Sequence, residues 1–395
     1  MSSLHIHAPP APAANRLALF DLGFRPFYLM ASAFAALSIP LWALQFSGRL
    51  AHPYLAGPVW HAHEMVFGFT LAVIVGFLFT AGRNWSNQPT PTGALLASLA
   101  GLWLAGRVLV LTPFATAAAV VNVAFPLAAA VALAVPFVRA KNRRNYFFIG
   151  LLVLLGVAAG FVHAAQLGVA HLPQWLGIQT ALDVVLFIVA VMGGRVIPMF
   201  TNNGVARVSA KRHPWAEKLA LGAVLALLAA DLMGLKGGPL ALLAFIAFGA
   251  HLWRWLLWKS WRTLRVPLVW VLHLAYGWVP LHLALRGLAE FGLVQASVAT
   301  HALTVGAVGG LVIGMMTRTA RGHTARPLQA DRFDTAAYAL VAASALVRVG
   351  LPLIDPGQTL NAVMVSAVLW SAGFGVYAIR YWPVLSRPRL DGRPG

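Results

Sequence analysis

The sequence contains no cysteine. Disulfides, thiolate-bound zinc, cysteine-ligated iron–sulfur clusters and the C-x-x-C-H attachment of a c-type haem are therefore all excluded. Charge is scarce as well. Only 10% of the 395 residues are charged, against about 25% in ordinary globular proteins. Acidic residues are the rarest, with 10 Asp and Glu against 29 Lys and Arg. A chain that is 60% hydrophobic and so poor in charge cannot keep a globular surface wet, and it needs a lipid bilayer as solvent. Any metal it binds must rest on His, Met or carboxylate side chains.

What the sequence does have is long apolar runs. Twelve are long enough to cross roughly 30 Å of hydrocarbon: 26–47, 58–80, 93–111, 114–138, 146–168, 174–199, 216–235, 239–258, 267–289, 294–317, 335–353 and 358–382. Pro26, Pro58, Pro173 and Pro267 stand near helix starts, where a missing N–H costs little. The expected fold is an all-α polytopic bundle over 26–382. A polar tail (1–25) without the apolar core of a signal peptide precedes it, and a basic tail (383–395) follows.

Basic residues test this partition independently. With the N-terminus inside, all but Arg49, Arg107, Lys236, Arg286 and Arg348 of the 29 Lys and Arg fall at inner ends or loops, as the positive-inside rule expects. The net charge of +19 then reads as membrane orientation, with both termini cytoplasmic, and not as a nucleic-acid footprint. One internal echo stands out. His63, Gly68, Gly76 and Arg83 repeat their offsets in His301, Gly306, Gly314 and Arg321, a pattern that either chance or an ancestral duplication produces.

Ionisable groups inside a bilayer are costly and mark functional sites by default. At about 1.5 Å rise per residue, His61, His63, His163, His282 and His301 fall towards the outer side of their helices, while His251 and His273 lie nearer the inner side. Imidazoles from four helices at one level point to a shared haem or metal site; the alternative is that each is a buried histidine bonded to a carbonyl. On a regular helix His61 and His63 sit about 200° apart, so they serve two neighbouring sites or a bent first turn. His61 and Glu64, three apart, share a face. Glu64 and the mid-helix Asp183 are the candidate proton-handling groups. Arg83, Arg195 and Arg318 read either as snorkelling cations or as partners for an anionic group such as a propionate.

At these segments the chain resembles the NnrS family. The stretches that carry the resemblance are Gly23–Phe27, Trp60–Phe67 with Ala81–Trp85, Gly194–Gly204, Leu272–Trp278, and His301–Gly310 with Gly314–His323. They occur in the same order over nearly the whole membrane region. The resemblance implies a polytopic inner-membrane protein containing haem and copper, associated with the nitric-oxide and nitrosative-stress response of denitrifying and pathogenic bacteria. It places His61, His63, Glu64, His273 and His301 in motif positions, together with Arg195, Asn202, Asn203, Arg318 and His323. The combined expectation is a histidine-bound haem b and a copper centre towards the periplasm, where nitric oxide binds and is reduced. His61, His63, His163 and His301 are the principal ligands, and His273 and His282 further candidates. Electrons come from quinol or another donor. The rival readings are a transporter or haem- and metal-handling protein, and a nitric-oxide sensor or sink without turnover.

Overall fold

The computed structural model describes residues 16–46, 49, 53–169 and 171–393, and among these the chain is helical with no strand. His5, His7 and His52, and most of the expected N-terminal tail, lie outside the described residues. Twelve continuous helical runs follow one another: α1 (Phe24–Phe46), α2 (Gly57–Ser86), α3 (Gly93–Leu109), α4 (Ala115–Arg139), α5 (Phe147–Leu167) and α6 (Leu176–Gly204), then α7 (Pro214–Leu232), α8 (Gly238–Leu257), α9 (Pro267–Ala289), α10 (Ala296–His323), α11 (Arg332–Ile354) and α12 (Thr359–Ser386). Most pack against their neighbours in sequence, and α1 closes on α12. The most apolar stretch of α2 is 83% buried while that of α12 is 33% buried, so α2 runs through the interior and α12 lies outside.

Ten of these runs are long and apolar enough to cross a membrane, not all twelve that hydropathy alone predicts. The two exceptions have visible causes. Helix α3 has only 17 residues, and α7 carries Glu217, Lys218 and Asp231. Several helices also outrun their apolar windows. The 58–80 run continues to Ser86 because Arg83 and Asn84 end the hydropathy signal without ending the backbone helix, which stops at Asn87 in the left-handed region (φ 50°). Likewise α6 continues through Asn202 and Asn203 to Gly204. There the Asn202 amide pairs with the backbone N–H and C=O of Ala210 at 2.7 and 3.1 Å.

Helices α2 and α10 are interrupted in the same way. In α2 the backbone is α-helical over Gly57–His63, π-helical over Glu64–Thr70 and α-helical again over Leu71–Ser86. In α10 the corresponding segments are Ala296–His301, Ala302–Gly309 and Gly310–His323. Each π segment begins directly after an echoed histidine, and such wide turns occur disproportionately at functional sites. The echoed glycines make close approaches. A Cβ on Gly68 would lie 2.5 Å from Arg107 Nη1, and one on Gly306 would lie 2.4 Å from the Trp278 ring. The echo fails at its last member. Arg321 pairs with Asp331 and Asp334 at 2.9 and 2.6 Å, whereas Arg83 forms no hydrogen bond or ion pair among the described residues.

Candidate functional site

The first turns of α2 and α10 meet beside a cavity of about 620 Å³, within the usual size of a cofactor pocket, about 300–1,000 Å³. Its walls come from α1, α2, α6, α10, α11 and α12 and are mostly apolar, including Trp42, Phe69, Leu182 and Trp370. His61 and His301 both face it. Their ring centroids are 6.5 Å apart and their planes differ by 12°. Two imidazoles on opposite sides of one metal ion have ring centres roughly 6 Å apart, given metal–nitrogen bonds of about 2.0 Å, so the spacing suits a shared ion. His301 Nδ1 donates to the Ser297 carbonyl at 2.6 Å, which leaves Nε2 as the bare lone pair. His61 stacks on Trp42 at 4.8 Å, and its Nδ1 is buried without a partner.

His63 faces away from that cavity and meets His163 of α5, with centroids 5.0 Å apart. Both rings are held at Nδ1. His63 donates to Glu64 Oε1 at 2.8 Å, and His163 shares a 3.1 Å hydrogen bond with the Tyr54 hydroxyl. Both Nε2 atoms are buried without a partner. Burial pushes the Tyr54 phenol up to about 12, so it stays neutral beside His163. A ring braced at one nitrogen and bare at the other is how metal-binding histidines are oriented. Glu64 is also paired with Arg107 of α3 at 3.2 Å, and Arg107 in turn bonds the Asn122 side chain of α4.

Among the described residues no three His, Asp or Glu side chains gather so as to hold a metal ion by themselves. The histidines come as two pairs, His61 with His301 and His63 with His163, and either pair could hold a metal only if the metal's other ligands came from outside the protein.

A comparison with family models matches residues 18–389 to the NnrS protein family. The chain belongs to the NnrS family. A search of curated proteins returns no match.

Within this family member the remaining candidates sit elsewhere. His273 Nε2 donates at 2.7 Å to the Thr201 hydroxyl, which itself donates to the Ile197 carbonyl. Nδ1 of His273 is buried and unpartnered, but no second imidazole ring contacts it. His282 Nδ1 donates to the Ala299 carbonyl at 2.7 Å, and His251 is bonded at both nitrogens, to Tyr276 and Ala220. Arg195 bonds Asn145 at 3.0 Å and sits 5.4–5.9 Å from the rings of Phe147, Phe148 and Trp85. Arg318 lies 3.8 Å over the Phe200 ring. Neither these two nor Arg83 lines the cavity.

Two expectations need correction. Glu64 pairs with His63 and not with His61, because the carboxylate is drawn towards Arg107, which the sequence had placed with the outer loops and ends. Asp183 is ion-paired at 3.0 Å with Arg286, which also bonds Asp231; Gln179, which lines the cavity, donates to Asp183 at 3.1 Å. Arg107, Arg286 and Arg348 are 6–9% exposed, so three of the five supposed outer cations lie inside the bundle. These residues went unread because a cation near a helix end looks the same in sequence whether it snorkels or turns inward.

Proposed function

We propose that this chain is a twelve-span protein of the bacterial inner membrane, with both termini cytoplasmic. It binds haem b between His61 and His301 and copper at His63 and His163, and it binds nitric oxide on the periplasmic side and reduces it. The observation that carries this reading is the sorting of the histidines. Four of them, from α2, α5 and α10, form two pairs of neighbouring rings, three of the four with a buried nitrogen left unpartnered, while His251 is bonded at both nitrogens and neither His273 nor His282 has a second imidazole ring against it among the described residues.

When bound, the two metals supply the redox change and an open coordination position. The protein's own groups do the rest. Two NO, two electrons and two protons give N2O and water, with the electrons supplied by quinol or another donor. Glu64, ionised beside Arg107 at rest and with Oε2 buried and unpartnered, would take up a proton beside His63 and pass it on. The mostly apolar walls exclude water and admit a small neutral gas. Asp183, paired with Arg286 as Glu64 is with Arg107, likewise has its second oxygen buried and unpartnered and is the second proton-handling group.

The test is redox spectroscopy of the purified full chain with and without nitric oxide, alongside N2O measurement in the presence of a reductant. Stoichiometric haem lost in His61→Ala and His301→Ala, with N2O formed by the wild type, supports the proposal. Tight nitric-oxide binding without N2O leaves a sink. Absence of haem returns the chain to the transporter or metal-handling reading.

A further inference from the structure

The buried arginines Arg107, Arg254 and Arg286 each have a carboxylate, Glu64, Glu217 and Asp183 with Asp231, as does the half-buried Arg321 with Asp334, and the buried Arg25 donates to the Leu385 and Arg387 carbonyls. Arg348 has neither kind of partner. It is 9% exposed, lines the large cavity from α11, has Nη1 buried without a partner, and makes no hydrogen bond or ion pair among the described residues. Among the described residues no Asp or Glu lines the cavity. A guanidinium left uncompensated in such surroundings is costly unless a ligand completes it.

The hydroxyls of the wall are already spent as donors. The hydroxyls of Thr70, Thr300, Thr304, Ser344 and Ser366 all donate to backbone carbonyls, and the Gln179 amide donates to Asp183. The Ser297 hydroxyl donates to the Gln295 side chain, so the hydroxyls can only accept, and the Gln179 amide keeps one neutral N–H. Apart from the histidine ring nitrogens reserved above, the unpartnered donors of the cavity include the single indole N–H groups of Trp42 and Trp370 and the guanidinium of Arg348; of these only Arg348 carries charge and a paired fork that suits a carboxylate.

We propose that Arg348 is the anion-recognising residue of this cavity and selects a ligand with a flat or flexible apolar body and a carboxylate at one end. On the haem reading, on which this identification of the ligand rests, the carboxylate is a propionate of the porphyrin. The same chemistry would also accept a fatty acid.

Full-length protein from haem-depleted cells, in detergent, is titrated with haem b and with its dimethyl ester, followed by the Soret band. Wild type should bind haem at least about ten-fold more tightly than the ester, as a charge-assisted hydrogen bond requires. Arg348→Gln should bind the two alike. Arg348→Lys, which keeps the charge without the fork, should retain part of the preference and serves if Arg348→Gln does not fold. An unchanged preference in Arg348→Gln, or no preference in wild type, overturns the proposal. If wild type takes no porphyrin, the haem reading falls. A long-chain fatty acid titrated against its methyl ester then decides: an Arg348-dependent preference for the acid upholds the carboxylate site, and equal binding overturns it.

Discussion

Arg107 Nη1 lies 3.2 Å from Glu64 Oε1, the oxygen that accepts from His63 Nδ1. A cation on α3 thereby sets the orientation of an imidazole on α2. Removing one partner of a buried pair leaves the other charge uncompensated, at a cost of about 3–5 kcal/mol. Arg107→Leu should lower unfolding stability in detergent by that order, and adding Glu64→Gln should restore much of it. If the two losses simply add, the groups are not coupled.

The approach of Arg107 depends on Gly68, whose missing Cβ leaves space for the guanidinium. Gly68→Ala should displace it, costing about 1–3 kcal/mol as overpacking does, and should perturb His63. Gly101, with open space around it, is the control: Gly101→Ala should leave thermal unfolding unchanged or slightly raised.

Metal and haem content separate the two histidine pairs. His63→Ala and His163→Ala should lose copper and keep haem, whereas His273→Ala and His251→Ala should keep both. Tyr54→Phe, which removes the brace on His163, should weaken copper binding about 10–100-fold. Elemental analysis and the pyridine haemochrome assay read these outcomes. Copper loss in His273→Ala would move the copper centre to the α6–α9 contact.

Asp331, the N-cap of α11, accepts from the backbone N–H groups of Phe333 and Asp334. Burial opposes its ionisation, but the Asp334 backbone and the guanidinium groups of Arg380 and Arg321 outweigh it and hold the carboxylate below its usual range. A lowered folded value means stabilisation that is complete above the unfolded Asp range, about 3.9, and is lost as pH falls through the folded value. The wild-type melting temperature should therefore fall more steeply under acid than that of Asp331→Asn, which keeps a capping side chain but cannot titrate. Parallel curves would remove Asp331 from acid sensitivity.

The helical bundle was legible because apolar length is a strong signal, and the separation of His61 from His63 followed from helix geometry alone. The identity of the partners was not. His61 meets His301 and His63 meets His163 across helix contacts that no local pattern encodes, and the cations that organise the interior, Arg107, Arg286 and Arg348, sit where snorkelling residues sit. Depth alone could not distinguish His282 from His301: each is bonded at Nδ1 to a backbone carbonyl, and what sets His301 apart is the second imidazole, His61, beside it at the cavity. The repeated offsets in α2 and α10 were visible, but the widened turns behind them were not.

Those widened turns make chain length itself a determinant of chemistry. Deleting one residue anywhere within 64–70 would let α2 relax to regular winding and swing its N-terminal end by about 100° about the axis. His61 would turn off His301 and His63 off His163 with every histidine still present. A single lost codon could thus silence both pairs in a descendant whose ligand residues all look intact.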